Sequence, residues 1–149
     1  MGQLSGISTL LLIVFCLFVM QAIGGYFQIR DYRKSVKRVH KLGNVGIGQK
    51  RGKLLSGYLI LIACDNEGII TGAEIMEGLS FFAKFKPTNT FLNQEMIGKS
   101  IYDFLKITRT FDKKQNKKYR GYINALEALN LRLEENKEQQ KSEEIVQES

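Results

Sequence analysis

The chain has 149 residues, a formal net charge of +7, two cysteines and one histidine. An apolar N-terminal stretch leaves about 120 residues, room for one small domain and a tail, which excludes a multi-domain enzyme. Two cysteines cannot make a disulfide framework, and with one histidine they offer neither a zinc ligand set nor a nucleophilic triad.

From Leu4 to Ile29 the chain carries no Asp, Glu, Lys or Arg, and Leu10 to Met20 is wholly apolar. As a helix, Leu4 to Ile23 reaches roughly 30 Å, the thickness of a bilayer's hydrocarbon, so residues 1–29 are expected to form one transmembrane anchor. Arg30 to Lys41 then holds six Lys or Arg against one acid. By the positive-inside rule this predicts a single pass through the cell membrane, with the N-terminus outside and the C-terminal domain cytoplasmic. Other readings fit less well. A cleaved signal peptide lacks a basic n-region in Met1 to Ser8, although Ala22-Ile23-Gly24 has small-x-small spacing. Phe15 stands where a lipoprotein anchor at Cys16 needs a small residue, and Gly6 where a myristoyl signal needs Ser or Thr. A buried helix apolar all round needs a larger domain than the remaining residues can build.

Residues 30–53 form a basic juxtamembrane segment with a Gly-rich linker, with nine cations against one acid, whereas Glu134 to Ser149 holds two cations and six acids. Arg30, Arg33, Lys34, Lys37, Arg38, Lys41, Lys50, Arg51 and Lys53 are the candidate contacts to anionic lipid or phosphate. Near a membrane surface each such cation contributes roughly 1 kcal/mol. Nucleic acid is the competing partner, but no aromatic interleaving or zinc spacing supports it. His40 stands alone among these cations and is read as solvated or interfacial; Cys16 and Cys64 are read as small buried hydrophobes.

The anchor helix is expected to run past Gly24-Gly25, with Tyr26 and Phe27 at headgroup level, and to emerge as a basic extension. Gly43 to Gly48 should end it and serve as a linker. Residues 54–133 are read as a small cytoplasmic α+β domain. Tyr58 to Ala63 predicts a central strand covered on both faces, Asp65 to Gly68 a turn, Ile69 to Met76 a second strand, and Leu79 to Lys86 a third, forming an antiparallel three-stranded meander. Pro87 closes the sheet region. Ser100 caps a short helix bearing Ile101, Phe104 and Leu105, and C-terminal to it a longer helix from Lys117 presents Tyr119, Tyr122, Leu126, Leu129 and Leu133 as one stripe. That stripe is too short for a coiled coil and should cover the chain's own sheet. Residues 134–149 are read as a charged, disordered tail.

No enzyme chemistry emerges, and no catalytic residue, cofactor or metal site is expected. Gly46 to Lys53 has the glycines and lysine of a phosphate loop at the wrong spacing, and Leu54 stands where Ser or Thr belongs. Asp65 and Glu67 in a turn, and Glu74 and Glu77 on a strand, read as a solvated edge.

The ordered blocks Gly24-Gly25-Tyr26-Phe27-Gln28-Ile29, Gly43-Asn44-Val45-Gly46-Ile47-Gly48, Leu61-Ile62-Ala63-Cys64-Asp65 and Gly78-Leu79-Ser80-Phe81-Phe82-Ala83-Lys84 resemble the GutM family of glucitol (sorbitol) operon activator proteins. The likeness covers roughly Leu10 to Lys106. It implies an accessory transcriptional activator of a bacterial sugar phosphotransferase operon, and it carries over no catalytic or binding residue. No DNA-binding motif is evident, so direct DNA contact is doubtful. The expected partners are the membrane bilayer and a regulator or transporter protein of the same operon. The alternative is a small accessory subunit of a membrane sugar transporter without a regulatory role.

Replacing Val14 with Arg should cost about 2.5 to 3.5 kcal/mol of insertion free energy and release the protein from membranes. A variant that fractionates like the parent would count against the span.

Overall fold

The computed structural model describes residues 2–52, 56–78 and 83–147, an α+β arrangement with a long helix at each end of the chain. Helix α1 (Gly2–His40) runs unbroken through Gly24-Gly25 and the basic extension, as its helical spacing predicts. Strands β1 (Asn44–Lys50), β2 (Tyr58–Cys64), β3 (Ile70–Glu77) and β4 (Lys86–Pro87) form one antiparallel sheet in that order. A small hairpin, β5 (Thr90–Phe91) and β6 (Gln94–Glu95), leads to α2 (Ile101–Thr108) and α3 (Lys113–Gln147).

The central strand behaves as its composition requires. Ile60, Ile62 and Cys64 are fully buried on one face of β2, and Leu61 and Ala63 on the other. On the first face α2 and α3 supply Ile101, Phe104, Tyr122, Leu126, Leu129 and Leu133, so the stripe does cover the chain's own sheet. On the second face the last turns of α1 supply Val39, with Tyr32 and Val36 packed alongside, and Phe85 joins them. The Asp65 turn forms as read: its carboxylate accepts from the Glu67 and Ile69 N–H groups, and Gly68 takes a φ of 87°. Ser100 caps α2, its Oγ accepting from the Tyr102 N–H at 3.2 Å.

Several expectations are corrected. The sheet has four strands rather than three, because the supposed linker Gly43 to Gly48 supplies β1, which pairs with β2 along its whole length. Of the third expected strand, residues 79–82 lie outside the described residues; among those described, Lys86 pairs with Ile75, and Pro87, one residue beyond the expected strand, pairs with Glu74. Helix α3 begins at Lys113, not Lys117, because Asp112 and Gln115 form a reciprocal capping box: each backbone N–H donates to the other's side chain. The expected tail continues α3 to Gln147, since Glu, Lys and Gln lose little rotamer freedom in a helix. Glu74 is buried rather than solvated.

The glycines that looked like a linker have a packing role. A Cβ on Gly46 would collide with the Ala125 carbonyl oxygen, and one on Gly48 with that of Gly121. A Cβ on Gly121 would in turn strike the Tyr58 ring. Helix α3 therefore lies on β1 at backbone contact, a separation that only residues without a side chain allow. Arg132 and Asn136 extend the contact, donating to the Val45 carbonyl and the Asn44 side chain.

Gly48→Ala should push α3 off the sheet and cost about 1 to 3 kcal/mol, as overpacking does. Urea denaturation of the purified protein measures this; an unchanged midpoint would refute the backbone contact.

Candidate functional site

The candidate cations are distributed over both ends of the domain. Arg30, Arg33, Lys34 and Lys37 are exposed on α1. Arg30 and Lys34, with Asp31, border a shallow depression whose other wall is Ala83 and Lys84. Lys41 sits in the turn after α1, at the opposite end of the domain, where its N–H donates to the Arg38 carbonyl. Lys50 ends β1 with its ammonium 5.9 Å from the centre of the Tyr58 ring, and Arg51 follows it, exposed. Lys53 lies outside the described residues. His40 is exposed at the end of α1.

Arg38 has a structural task. Its Nε donates to Glu74 Oε1 at 2.9 Å and its Nη2 to Oε2 at 2.8 Å, a two-point pair, while Nη2 also reaches Ser35 Oγ at 2.8 Å. The hydrogen bond to Glu74 raises the Arg38 pKa above its ordinary value, outweighing the opposing effect of burial. Ser35 is fully buried, and Glu74 nearly so. Around this pair the Phe85 N–H donates to Asp31 at 3.1 Å and the Thr71 hydroxyl to the Leu42 carbonyl at 2.7 Å. These contacts stitch the basic end of α1 to β3 and to the segment before β4, and they align helix and domain in one direction.

A second cluster escaped the sequence reading. Lys117, Arg120 and Asn124 of α3 face Gln49, Lys50 and Arg51 across an open groove of ≈ 450 Å³. Lys113 and Asn116 continue that surface along α3. The signal available in sequence was the run Lys113-Lys114 and Lys117-Lys118-Tyr119-Arg120. Its distance along the chain from Lys50 hid the juxtaposition, which depends on α3 lying against β1. Nearby, burial pushes the Tyr58 phenol up to about 12 while its hydroxyl donates to the Lys118 carbonyl at 3.2 Å. Tyr122 is shifted upward for the same reason. Both rings belong to an aromatic cluster in which Phe91 stacks on Tyr122 at 4.5 Å. These phenols are packed groups, held in their neutral form.

Two predictions follow from this chemistry. Arg38→Gln leaves the Glu74 carboxylate buried without its partner and should cost about 1 to 3 kcal/mol, the lower part of the range being favoured by the half-exposed guanidinium. The double variant with Glu74→Gln should cost less than the sum of the single changes; additivity in a double-mutant cycle would deny the pair. Cys64 is fully buried, and burial raises its thiol from 9.0 to about 11. The unfolded chain therefore loses its thiol proton first. The corresponding stability is fully present below pH 9 and falls as pH rises through about 11. In a Cys16→Ala background, native protein at pH 8 should resist thiol reagents, and labelling should appear only with unfolding.

The family model described as glucitol operon activator protein (GutM) matches residues 9–120. It reaches past Lys106, the end of the resemblance seen in the sequence blocks, and takes in the start of α3. No curated protein and no solved structure matches the chain. A match over most of the chain, across α1, the sheet, α2 and the basic first turns of α3, shows that this protein belongs to the GutM family of glucitol operon activator proteins.

Proposed function

We propose that this protein is a membrane-anchored accessory activator of a bacterial glucitol phosphotransferase operon, acting through a protein partner and without enzymatic activity. Its membership of the GutM family supports the activator reading. The observation that carries the anchor is the first part of α1: a helix long and apolar enough to cross a membrane, with none of its most apolar window buried. Leu10, Leu11, Leu12, Phe15, Phe18 and Met20 are all more than half exposed. In water such a surface is strongly unfavourable, and a bilayer removes it from water. The basic turns that follow favour a cytoplasmic domain.

The soluble part supports action through a protein. The described chemistry around the sheet consists of packed phenols, a buried thiol and a structural ion pair. None of these presents an unpaired reactive group to a substrate. The partner in this reading is the operon's regulator or its sugar transporter.

Deleting the gene should abolish glucitol-operon mRNA while leaving sugar uptake intact when the transporter is expressed from an unlinked promoter. Lost uptake with normal mRNA would instead favour a transporter subunit. A reporter fused to the C-terminus should be active only in the cytoplasm; activity outside would reverse the orientation. An operator footprint by the purified protein would replace the indirect mechanism with direct DNA binding.

A further inference from the structure

The contacts of α1 and α3 determine which end of the domain meets the bilayer. Leu42 meets Thr71, Arg38 meets Glu74, and Asp31 meets Phe85, next to the Lys86 that pairs with Ile75. Helix α1 therefore runs opposite to β3. The row formed by Lys50, Tyr58 and Glu77 lies at the end where α1 enters the domain. Helix α3 runs opposite to β1: Lys118 and Gly121 reach Tyr58 and Gly48, while Arg132 and Asn136 reach Val45 and Asn44. The start of α3 is carried to that same end. Along α1, Ile29 precedes Arg38 by about 14 Å. Along β3, Glu77 lies about 10 Å from Glu74 in the same direction. The Lys50 row is thus within about 10 Å of the level of Ile29, comparable to a Debye length at physiological salt.

This end carries Lys50, Arg51, Lys113, Lys114, Lys117 and Arg120, all exposed except the half-buried Lys50. Among the described residues the ion pair is that of Arg38 with Glu74, so none of the six has a carboxylate within ion-pair distance. Asp112, which caps α3, and Glu77, in the Lys50 row, also lie at this end, two acids against six cations. The acids Asp65, Glu67, Glu134 and Glu138 lie at the opposite end, beside the contact of Asn44 with Asn66 and Asn136.

We propose that the first turns of α3, together with Lys50 and Arg51, form a second attachment to the membrane, binding anionic phospholipid headgroups beside the emergence of α1. The inference rests on the anchor reading above. With α1 as one attachment and this surface as another, the domain is held against rotation about α1, and its acidic end is presented to the cytoplasm. Nucleic acid suits this surface less well: it faces the lipid plane, and its nearby aromatics, Tyr119 and Phe111, are packed against the core instead of free to stack on bases.

The test uses the full chain, with Cys16→Ala and Asn124→Cys carrying a fluorophore, in nanodiscs of phosphatidylcholine alone or mixed with phosphatidylglycerol. Quenching by a headgroup-attached spin label should be strong only with phosphatidylglycerol and should weaken as salt rises. In the variant K113Q/K114Q/K117Q/R120Q the docked-to-undocked ratio should fall roughly tenfold or more, with unchanged circular dichroism. Equal quenching in both lipids, or a variant that behaves like the parent, overturns the inference. So does duplex DNA of arbitrary sequence that displaces the label from anionic discs at equal phosphate. Carbonate extraction separates the two levels: protein released from membranes refutes the anchor and this inference together, whereas retained protein with charge-insensitive quenching refutes the inference alone.

Discussion

Strand β2 is apolar on both faces, and neither face can be left to water. Ile60 and Ile62 need one cover and Leu61 and Ala63 another, so two separate layers must be brought to a single strand. The chain supplies them from its opposite ends, α3 with α2 on one side and the last turns of α1 on the other. Everything else in the domain accommodates this sandwich. The helix carrying the long apolar stretch is also a core element, so no hinge of loop residues separates the proposed anchor from the domain.

The two covers reach the sheet by different means. Helix α3 comes down to backbone contact because Gly46, Gly48 and Gly121 leave no side chains between it and β1. Helix α1 is held by apolar packing of Tyr32, Val36 and Val39 and by the two-point pair between Arg38 and Glu74. A carboxylate on the covered face of a sheet is costly unless it is paired, and the pair is satisfied in only one register of helix on strand. Packing thus supplies the attraction, and the ion pair selects the alignment.

That alignment has consequences for function. A domain fixed to α1 in one direction has an end where α1 enters and a distal end; in the proposed arrangement the first faces the membrane, and six cations at the start of α3 and the end of β1 outnumber Asp112 and Glu77 there. An activator that works from the membrane needs a surface that a partner can find repeatedly in the same orientation. In the proposed arrangement the rigid continuation of α1 provides it without a flexible linker.

Much of this was legible from residue types. The apolar length of Leu4 to Ile29, the two-faced strand from Tyr58, the Asp65 turn, the Ser100 cap and the stripe from Tyr119 to Leu133 each follow from local periodicity or from a side chain bonding its own backbone, and those signals act within a few residues. The resemblance to GutM rests on ordered sequence blocks and not on these physical signals. What the tertiary structure decided depends on contacts between distant segments. Glycine signals a break when read locally, yet Gly46 and Gly48 are strand residues, because α3 arrives at a distance no side chain could tolerate. Glu74 reads as a solvated acid until Arg38, on another element, reaches it. Lys117 and Arg120 join Lys50 and Arg51 only through the antiparallel lie of α3 on β1. Local pattern determined most of the helices and the central strand; long-range packing and pairing determined that Asn44–Lys50 is a strand, and which face, which neighbour and which end of the domain each residue serves.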